Sequence, residues 1–245
     1  MKKFLLGASA LVVISAVSPA SAADLAARPY TKAPPMMAAY YDWSGFYIGA
    51  NGGWGNMRDC WSTVGGLGLG CHDSNGGVAG GQVGYRWQSA GWVFGLEAQG
   101  DWADLRGSHA DLFVLGREDF SEMNAFGLFT GQLGYAWNNA LLYVKGGAAV
   151  TDTRFEAGPI GFPTVAGTGD VTRWGGTVGV GLEYGFAPNW SAAVEYDHLF
   201  MNRHNSDFFF FADNAFAATG NVGGDVDLVT VRVNYRWGGP VIGRY

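Results

Sequence analysis

Ten ionisable side chains stand at alternating positions within stretches otherwise made of apolar residues and glycine: Arg86, Glu97, Asp101, Lys145, Arg173, Glu183, Glu195, Asp197, Arg232 and Arg236. Five acids and five bases on one face of a set of strands could serve two purposes. They could form a catalytic constellation, or they could neutralise one another in a confined space. A hydrolytic centre needs a nucleophile, a base and an orienting acid within hydrogen-bond reach. His198, beside Asp197 and Glu195, is the single cluster of that kind. Successive strand residues point to opposite faces, so His198 and Asp197 are not expected to meet. Charge neutralisation is therefore the expected chemistry, because an unpaired buried charge is costly.

The elements that must position these groups are announced by a fourfold aromatic repeat. Tyr85 with Trp87, Tyr135 with Trp137, Tyr184 with Phe186 and Tyr235 with Trp237 close four segments, the tyrosines falling at intervals of 50, 49 and 51 residues. Trp43, Trp92, Leu141 and Trp190 open segments at intervals of 49. A repeat of this period signals a repeated supersecondary unit, here strand, long loop, strand, short turn. Four units give eight strands, expected at about Phe46–Trp54, Val78–Trp87, Trp92–Asp104, Asn124–Trp137, Ala140–Thr153, Thr172–Phe186, Trp190–Phe200 and Asp227–Trp237.

Each strand has two unlike faces. Between Thr172 and Phe186 one face carries Trp174, Val178, Val180, Leu182, Tyr184 and Phe186, the other Arg173, Thr177, Glu183 and glycines. Between Val229 and Trp237, the series Val229, Val231, Val233, Tyr235, Trp237 opposes Thr230, Arg232, Asn234, Arg236. This is period-two patterning.

Three features put the apolar face outward, toward lipid. Aromatics bracket the strands: Phe46 and Trp54, Trp92 and Trp102, Trp174 and Phe186, Trp190 and Phe200, 8 to 12 residues apart. Ten residues tilted by about 40° cover roughly 25 Å of membrane normal, the height of the apolar band between aromatic girdles. The polar face holds balanced charge and small residues, which suits the side-chain-filled interior of an eight-stranded barrel. Connections are short at one end (Gln88 to Gly91, Asn138-Asn139, Ala187 to Asn189) and long at the other, at about Gly55 to Gly77, Arg106 to Met123, Glu156 to Val171 and Met201 to Val226. That asymmetry matches short periplasmic turns and long outer loops. The fold expected is an all-β, eight-stranded antiparallel up-and-down transmembrane barrel. Its girdle is Trp43, Trp54, Tyr85, Trp87, Trp92, Trp102, Tyr135, Trp137, Trp174, Tyr184, Phe186, Trp190, Phe200, Tyr235 and Trp237.

Composition agrees: 40 glycines, 15% aromatic and 15% charged residues, against about 25% charged in ordinary soluble domains. Lys2 and Lys3, the apolar run Phe4 to Val17 and Ala20-Ser21-Ala22 read as an export signal over 1–22, cleaved before Ala23 or Asp24. Without Lys2 and Lys3, 13 of the 15 basic residues face 21 acidic ones, a net charge of −8. No nucleic-acid partner is expected of so acidic a chain. Residues 23–42, rich in Pro and Ala, read as an extended linker without chemistry; 43–237 form the barrel and 238–245 a short tail.

Cys60 and Cys71 lie in the first long connection of an exported chain, where two cysteines predict a disulfide. Closing that loop is worth about 3 kcal/mol in the chain-entropy model. With His72 they make an incomplete zinc site, so no metal is expected there. His72, His109 and His204 fall in the long connections and read as solvated loop residues. Phe208-Phe209-Phe210-Phe211 in the last connection reads as a strand continuing beyond the membrane or as a contact tip.

The run Tyr41-Asp42-Trp43-Ser44-Gly45-Phe46-Tyr47-Ile48-Gly49 resembles the start of the small outer-membrane barrels of α-proteobacteria, the outer-membrane immunogenic or porin-family proteins. Gly81-Gln82-Val83-Gly84-Tyr85-Arg86-Trp87, Gly131-Gln132-Leu133-Gly134-Tyr135-Ala136-Trp137 and Val180-Gly181-Leu182-Glu183-Tyr184-Gly185-Phe186 extend the resemblance over Trp43 to Trp237. It implies a barrel similar in fold to the OmpA transmembrane domain, resident in the cell outer membrane among lipid and lipopolysaccharide. It also implies periplasmic chaperones and the barrel-assembly machinery as transient partners. The role implied is a scaffold for envelope integrity with antigenic or adhesive loops and a possible host or surface ligand. The alternatives it brings are a narrow small-solute channel and, through some relatives, haem or ligand binding. No cofactor and no enzymatic activity are expected. The family's closing aromatic would be Trp237, yet residues 238–245 follow it.

Overall fold

Alternation of apolar and polar residues carries through eight long strands and closes them on themselves. The computed structural model describes residues 41–63, 68–110, 116–159, 166–168, 171–202, 204–210 and 215–237. The strands are β1 (Gly45–Thr63), β2 (Gly68–Ser89), β3 (Trp92–Ala110), β4 (Arg117–Trp137), β5 (Ala140–Pro159), β6 (Ala166–Gly167), β7 (Val171–Ala187), β8 (Trp190–Met201), β9 (His204–Phe210) and β10 (Phe216–Trp237). Around the membrane-spanning barrel the order is β1-β2-β3-β4-β5-β7-β8-β10, and β10 pairs back on β1. All pairings are antiparallel; Phe46 sits opposite Trp237 at the closure. The fold is the closed eight-stranded barrel that the alternation predicts.

The long connections are a correction. The stretches read as loops after Trp54, Arg106, Glu156 and Met201 are largely strand. β1 and β2 stay paired up to Ser62 opposite Gly68, with a register shift between Trp61 and Ser62, and β3 and β4 up to Ala110 opposite Glu118, with one between Trp102 and Leu105. β7 and β8 are shorter, and above them the wall is continued by β6 on β5 and β9 on β10, with β6 paired to β9. The extension therefore keeps eight wall positions. Backbone groups there must pair to leave no open edge, and the ladder supplies that.

The turns at the other end are tight: Ala90-Gly91, Asn138-Asn139 and Pro188-Asn189 join the paired strands. Ala90 and Asn138 adopt φ of 53° and 54°, a region asparagine tolerates and alanine does not.

Aromatic side chains form the two rings on the outer face. Trp54, Trp102, Trp174 and Phe200 are exposed at the edge where the strand extensions begin. Tyr85, Trp87, Trp92, Tyr135, Trp137, Tyr184, Phe186, Trp190 and Trp237 are exposed toward the turns, and Tyr235 is half-buried among them. Neighbours in the lower ring touch edge-on: Phe46 with Tyr85 (4.6 Å between centroids), Trp92 with Tyr135 (5.5 Å) and Trp190 with Tyr235 (5.1 Å).

Trp43 does not belong to the girdle. It is 1% exposed and packs inside the lower mouth with Tyr41, Val93, Leu141 and Tyr143. The reason is parity: Trp43 is three residues from outward-facing Phe46 and four from inward-facing Tyr47, so it shares the inward face. Tyr41 corrects the linker as well. Its ring lies 4.5 Å from Trp43 and 5.0 Å beneath the Arg236 guanidinium, so the packed unit begins at least two residues before the expected boundary at Trp43. The predicted export signal and the tail 238–245 lie outside the described residues.

Candidate functional site

Among the described residues, chemistry-bearing side chains converge in the lumen, which is built in four layers. At the mouth on the side of the short turns, Arg236 donates from Nη1 to the Ser44 carbonyl (2.9 Å) and from Nη2 to the Pro188 carbonyl (3.1 Å). It pins the turn and the entry strand around the Tyr41–Trp43 pair.

The second layer is an ionic lattice. Arg232 reaches Glu97 (2.8 Å) and Glu195 at once. Lys145 contacts Glu195 (2.6 Å), Asp197 (3.2 Å) and Glu97 (3.7 Å). Tyr47 and Tyr143 each donate a phenolic hydroxyl, to Glu97 and Glu195 respectively, at 2.6 Å. Arg86 pairs with Glu183 (2.8 Å) and donates from Nε to Gln132 (3.0 Å). Its guanidinium stacks 4.5 Å from the Tyr47 ring centroid and 5.4 Å from that of Tyr143. Ser191 and Asn234 hold the other oxygen of Glu183, and Gln82 ties Asn234 to Asn51. Asp101 accepts from Gln99 (2.8 Å). Each of Glu97, Glu183, Glu195 and Asp197 thus touches a cation, the condition under which a dry interior tolerates charge.

All ten charged residues assigned to the polar face are buried. Nine lie in or beside these two layers; Arg173 stands apart, nearer the extracellular end. Tyr47, Tyr143, Gln82, Gln99 and Gln132 complete the lattice and had not been singled out from the sequence. Their parity with Asn51, Lys145, Arg86, Glu97 and Thr130 was the signal that could have found them.

The third layer is apolar. Met57, Val78, Ala103, Leu105, Met123, Phe126, Leu128, Ala149, Leu199, Met201, Val226 and Leu228 pack across the barrel, none more than 9% exposed. Gly55 leaves room for this packing: a Cβ at that position would come within 2.9 Å of methyl carbons of both Leu105 and Leu228, whose side chains would have to shift.

Above it lies a polar layer from the extensions. Asp59, His72, Ser74, Asp119, Ser121, Thr151, Thr153 and Arg173 are buried there. Burial pushes the Asp59 carboxyl up to about 6, against the opposing pull of Arg173 and Ser121. Arg173 donates from Nη2 to the Asn202 carbonyl (2.9 Å). His72, expected in a solvated loop, is instead an inward residue of β2, because the first connection is strand. The side chains of His109 and His204 lie outside what is described. His198 faces outward and contacts Asp227 (2.7 Å), away from inward Asp197. No group of three or more His, Cys, Asp or Glu suited to a metal ion occurs among the described residues.

Cys60 and Cys71 are joined by a disulfide across directly paired positions of β1 and β2. Phe208 is buried, whereas Phe209 (37% exposed) packs against Phe216 (59% exposed) across the β9–β10 ladder; Phe211 is outside the described residues.

A closed barrel with a lipid-facing apolar band, two aromatic rings and a charged lumen is matched by the family model for the outer membrane protein beta-barrel domain, over residues 8–237. The chain belongs to that family. It is similar to the 31 kDa outer-membrane immunogenic protein of Brucella melitensis, with 29% identity over 215 residues, covering 80% of this chain and 85% of the relative. The Brucella suis protein of the same name matches equally. Among solved structures, the outer membrane protease OmpT of Escherichia coli superposes with a TM-score of 0.53 at 9% identity, covering 79% of this chain and 97% of that one. At that identity the likeness concerns fold alone. Membership places this family barrel in the outer membrane.

Proposed function

We propose that this barrel is a sealed, non-catalytic scaffold that stabilises the outer membrane and carries a rigid, disulfide-clamped extracellular extension as its displayed, antigenic surface. The observation that carries this reading is the apolar layer above the ionic lattice. Two successive barriers, one charged and cross-linked and one dry, leave no continuous polar path, which argues against the narrow-channel alternative. The exposed Phe209, Phe210 and Phe216 side chains near the end of the β9–β10 hairpin support display. Insertion by the barrel-assembly machinery after cleavage of the 1–22 signal, with contacts to lipopolysaccharide, belongs to the same proposal.

The test is complementation of a deletion strain. Full-length protein should restore resistance to detergents and large antibiotics. A version whose hairpins are shortened above the Trp54–Trp102–Trp174 ring should restore the barrier yet lose recognition by antisera raised against intact cells. If the shortened barrel failed to restore the barrier although folded and inserted, the scaffold role would be wrong. Replacing Phe208 to Phe211 with serine tests adhesion separately: unchanged surface binding removes any adhesive role for this segment.

A further inference from the structure

Three glycines on the lipid-facing side have no reason inside the barrel. Gly131 and Gly146 face outward at directly paired positions of β4 and β5, and Gly176 of β7 lies one outward row away, opposite Ala148. A Cβ at Gly131 would meet nothing nearer than 4.0 Å, at Gly146 nothing nearer than 3.5 Å and at Gly176 nothing nearer than 3.8 Å. Inward glycines differ: a Cβ at Gly179 would lie 2.1 Å from Asp197 Oδ1, and one at Gly181 would lie 2.3 Å from the Tyr143 ring. None of the three has the positive φ found at Gly45 and Gly116, and the β4–β5 register is unbroken at Gly131 and Gly146. Glycine inside a strand weakens it. Where neither a bulge nor a strained backbone calls for it, its remaining use is to let another molecule come close.

The glycines floor a groove. Two adjoining depressions of about 530 Å³ and 450 Å³ share Leu96, Gly131 and Gly146, with Trp87 at one end. The neighbouring outward row is bulky throughout: Phe94, Leu133, Val144, Val180 and Tyr196 are paired in succession and form a wall. The floor row continues from Gly146 to Val178 and then His198. From Leu96 to His198 it crosses four strand spacings of about 4.8 Å, roughly 19 Å in all, which suits one long acyl chain. The same row leaves β1 at Phe46 through Tyr85 and Leu96, and returns to β1 at Asn56 through His198 and Asp227. It therefore climbs from the aromatic ring at the turns to the ring at the extensions, as a chain hanging from a lipid head would.

The upper end of the row carries polar groups. His198 Nδ1 lies 2.7 Å from Asp227 Oδ1, and Tyr196 donates its hydroxyl to the same oxygen. The imidazole packs edge-on against Phe200, 4.4 Å between centroids. Held in this way, it turns Nε2 away from Asp227, while the Asp227 side chain stays 46% exposed. A protonated imidazole donates to a phosphate, and the carboxylate beside it accepts from an ammonium. A head with phosphate alone would be opposed by Asp227 and by Asp225, two residues along the same face. A head carrying both charges meets a partner for each.

We propose that this groove is a docking site for a single membrane lipid with a phosphoethanolamine head, its acyl chain along Leu96, Gly131, Gly146 and Val178 and its head on His198 and Asp227. The site requires the lipid-facing band alone and stands whether or not the lumen is sealed.

Native mass spectrometry of the refolded full-length protein, released from detergent micelles doped with palmitoyl-oleoyl phosphatidylethanolamine, tests it. Phosphatidylglycerol with the same chains is the control, and heat-modifiable gel mobility certifies the fold of each sample. The expected result is retention of one phosphatidylethanolamine. Retention should fall about fivefold or more in Gly131→Val/Gly146→Val, whose new side chains fill the groove from outside without meeting the barrel, and likewise in His198→Ala. A folded barrel that retains no lipid would overturn the proposal. Retention unchanged by the paired valines would overturn it in favour of lipid that coats the whole band without a site. Equal retention of phosphatidylglycerol, or indifference to His198→Ala, would overturn the assigned head.

Discussion

Arg232 and Arg173 are the same side chain, buried in the same lumen, on opposite sides of one apolar layer, yet their surroundings differ in kind. Arg232 lies between Glu97 and Glu195; the oxygens it contacts also accept from Tyr47 and Tyr143, and the other oxygen of each faces Lys145. Arg173 meets one backbone carbonyl, that of Asn202, and among the described residues no carboxylate lies within ion-pair distance of it. The lower lattice is therefore structural: its charges are consumed by one another. The upper layer has charge left over. Within one barrel, the two kinds of buried charge are distinguished by whether an opposite charge lies within ion-pair distance, because burial alone is similar in both.

The largest break in that contrast should come from Arg232→Met. It strands Glu97 and Glu195 among partly compensated charges, and removing one member of a buried pair costs about 3–5 kcal/mol. Urea unfolding of the refolded barrel in lipid vesicles would read it as a lower midpoint. A loss under 1 kcal/mol would mean the lattice is not what holds the lumen.

Asp59 gives the next effect, a dependence on pH. Its folded value of about 6 lies above the ordinary aspartate value of 3.8. The folded state therefore holds the proton more tightly than the unfolded state. Its stabilising contribution is complete below about pH 4, is lost as pH rises toward 6, and the loss is constant above that. A rise of this size corresponds to about 3 kcal/mol across that window. Asp59→Asn should flatten the slope between pH 4 and 6. His72, Asp119, Arg173 and Asp225 also face or border this layer, so the wild-type-minus-variant difference is the quantity to follow. A slope unchanged in the variant would reassign it to one of them.

Much of this was readable from residue types because lipid imposes contrast. Between the aromatic rings an outward residue meets hydrocarbon and an inward one meets side chains, so alternation of Val178, Val180 and Leu182 with Thr177, Glu183 and glycines declares the face directly. Trp43 was misplaced by following the 49-residue spacing instead of parity with Tyr47. Above the upper ring the contrast disappears. Outward Arg58, Asp73, Arg106 and Glu122 are as polar as inward Asp59, Ser74, Asp119 and Ser121, so the strand extensions looked like loops. Partner choice was not legible either. Which acid meets Lys145 or Arg86 depends on the register of non-adjacent strands, and so do the phenol contacts of Tyr47 and Tyr143.

Two smaller effects sharpen the comparison. Ala90→Gly relieves a left-handed alanine in a periplasmic turn and should stabilise the barrel by about 1 kcal/mol, measured by the same urea midpoint; no gain would mean that the turn does not strain the folded state. Thr153→Val removes an unengaged hydroxyl from the upper layer, so the midpoint should move by less than about 0.5 kcal/mol, since deleting an unpaired polar group of the same shape is near neutral. A marked loss would show that the hydroxyl already has a partner.

Whether the lumen is sealed is tested most directly by single-channel recording of the refolded, signal-free protein in a planar bilayer, with heat-modifiable mobility certifying the fold. A silent membrane is expected, because the lattice of Arg232, Lys145, Glu97 and Glu195 and the layer of Met57, Leu105, Leu199 and Leu228 block the axis in series. Reproducible discrete steps from the folded protein would contradict the seal and make those interior charges the determinants of a pore.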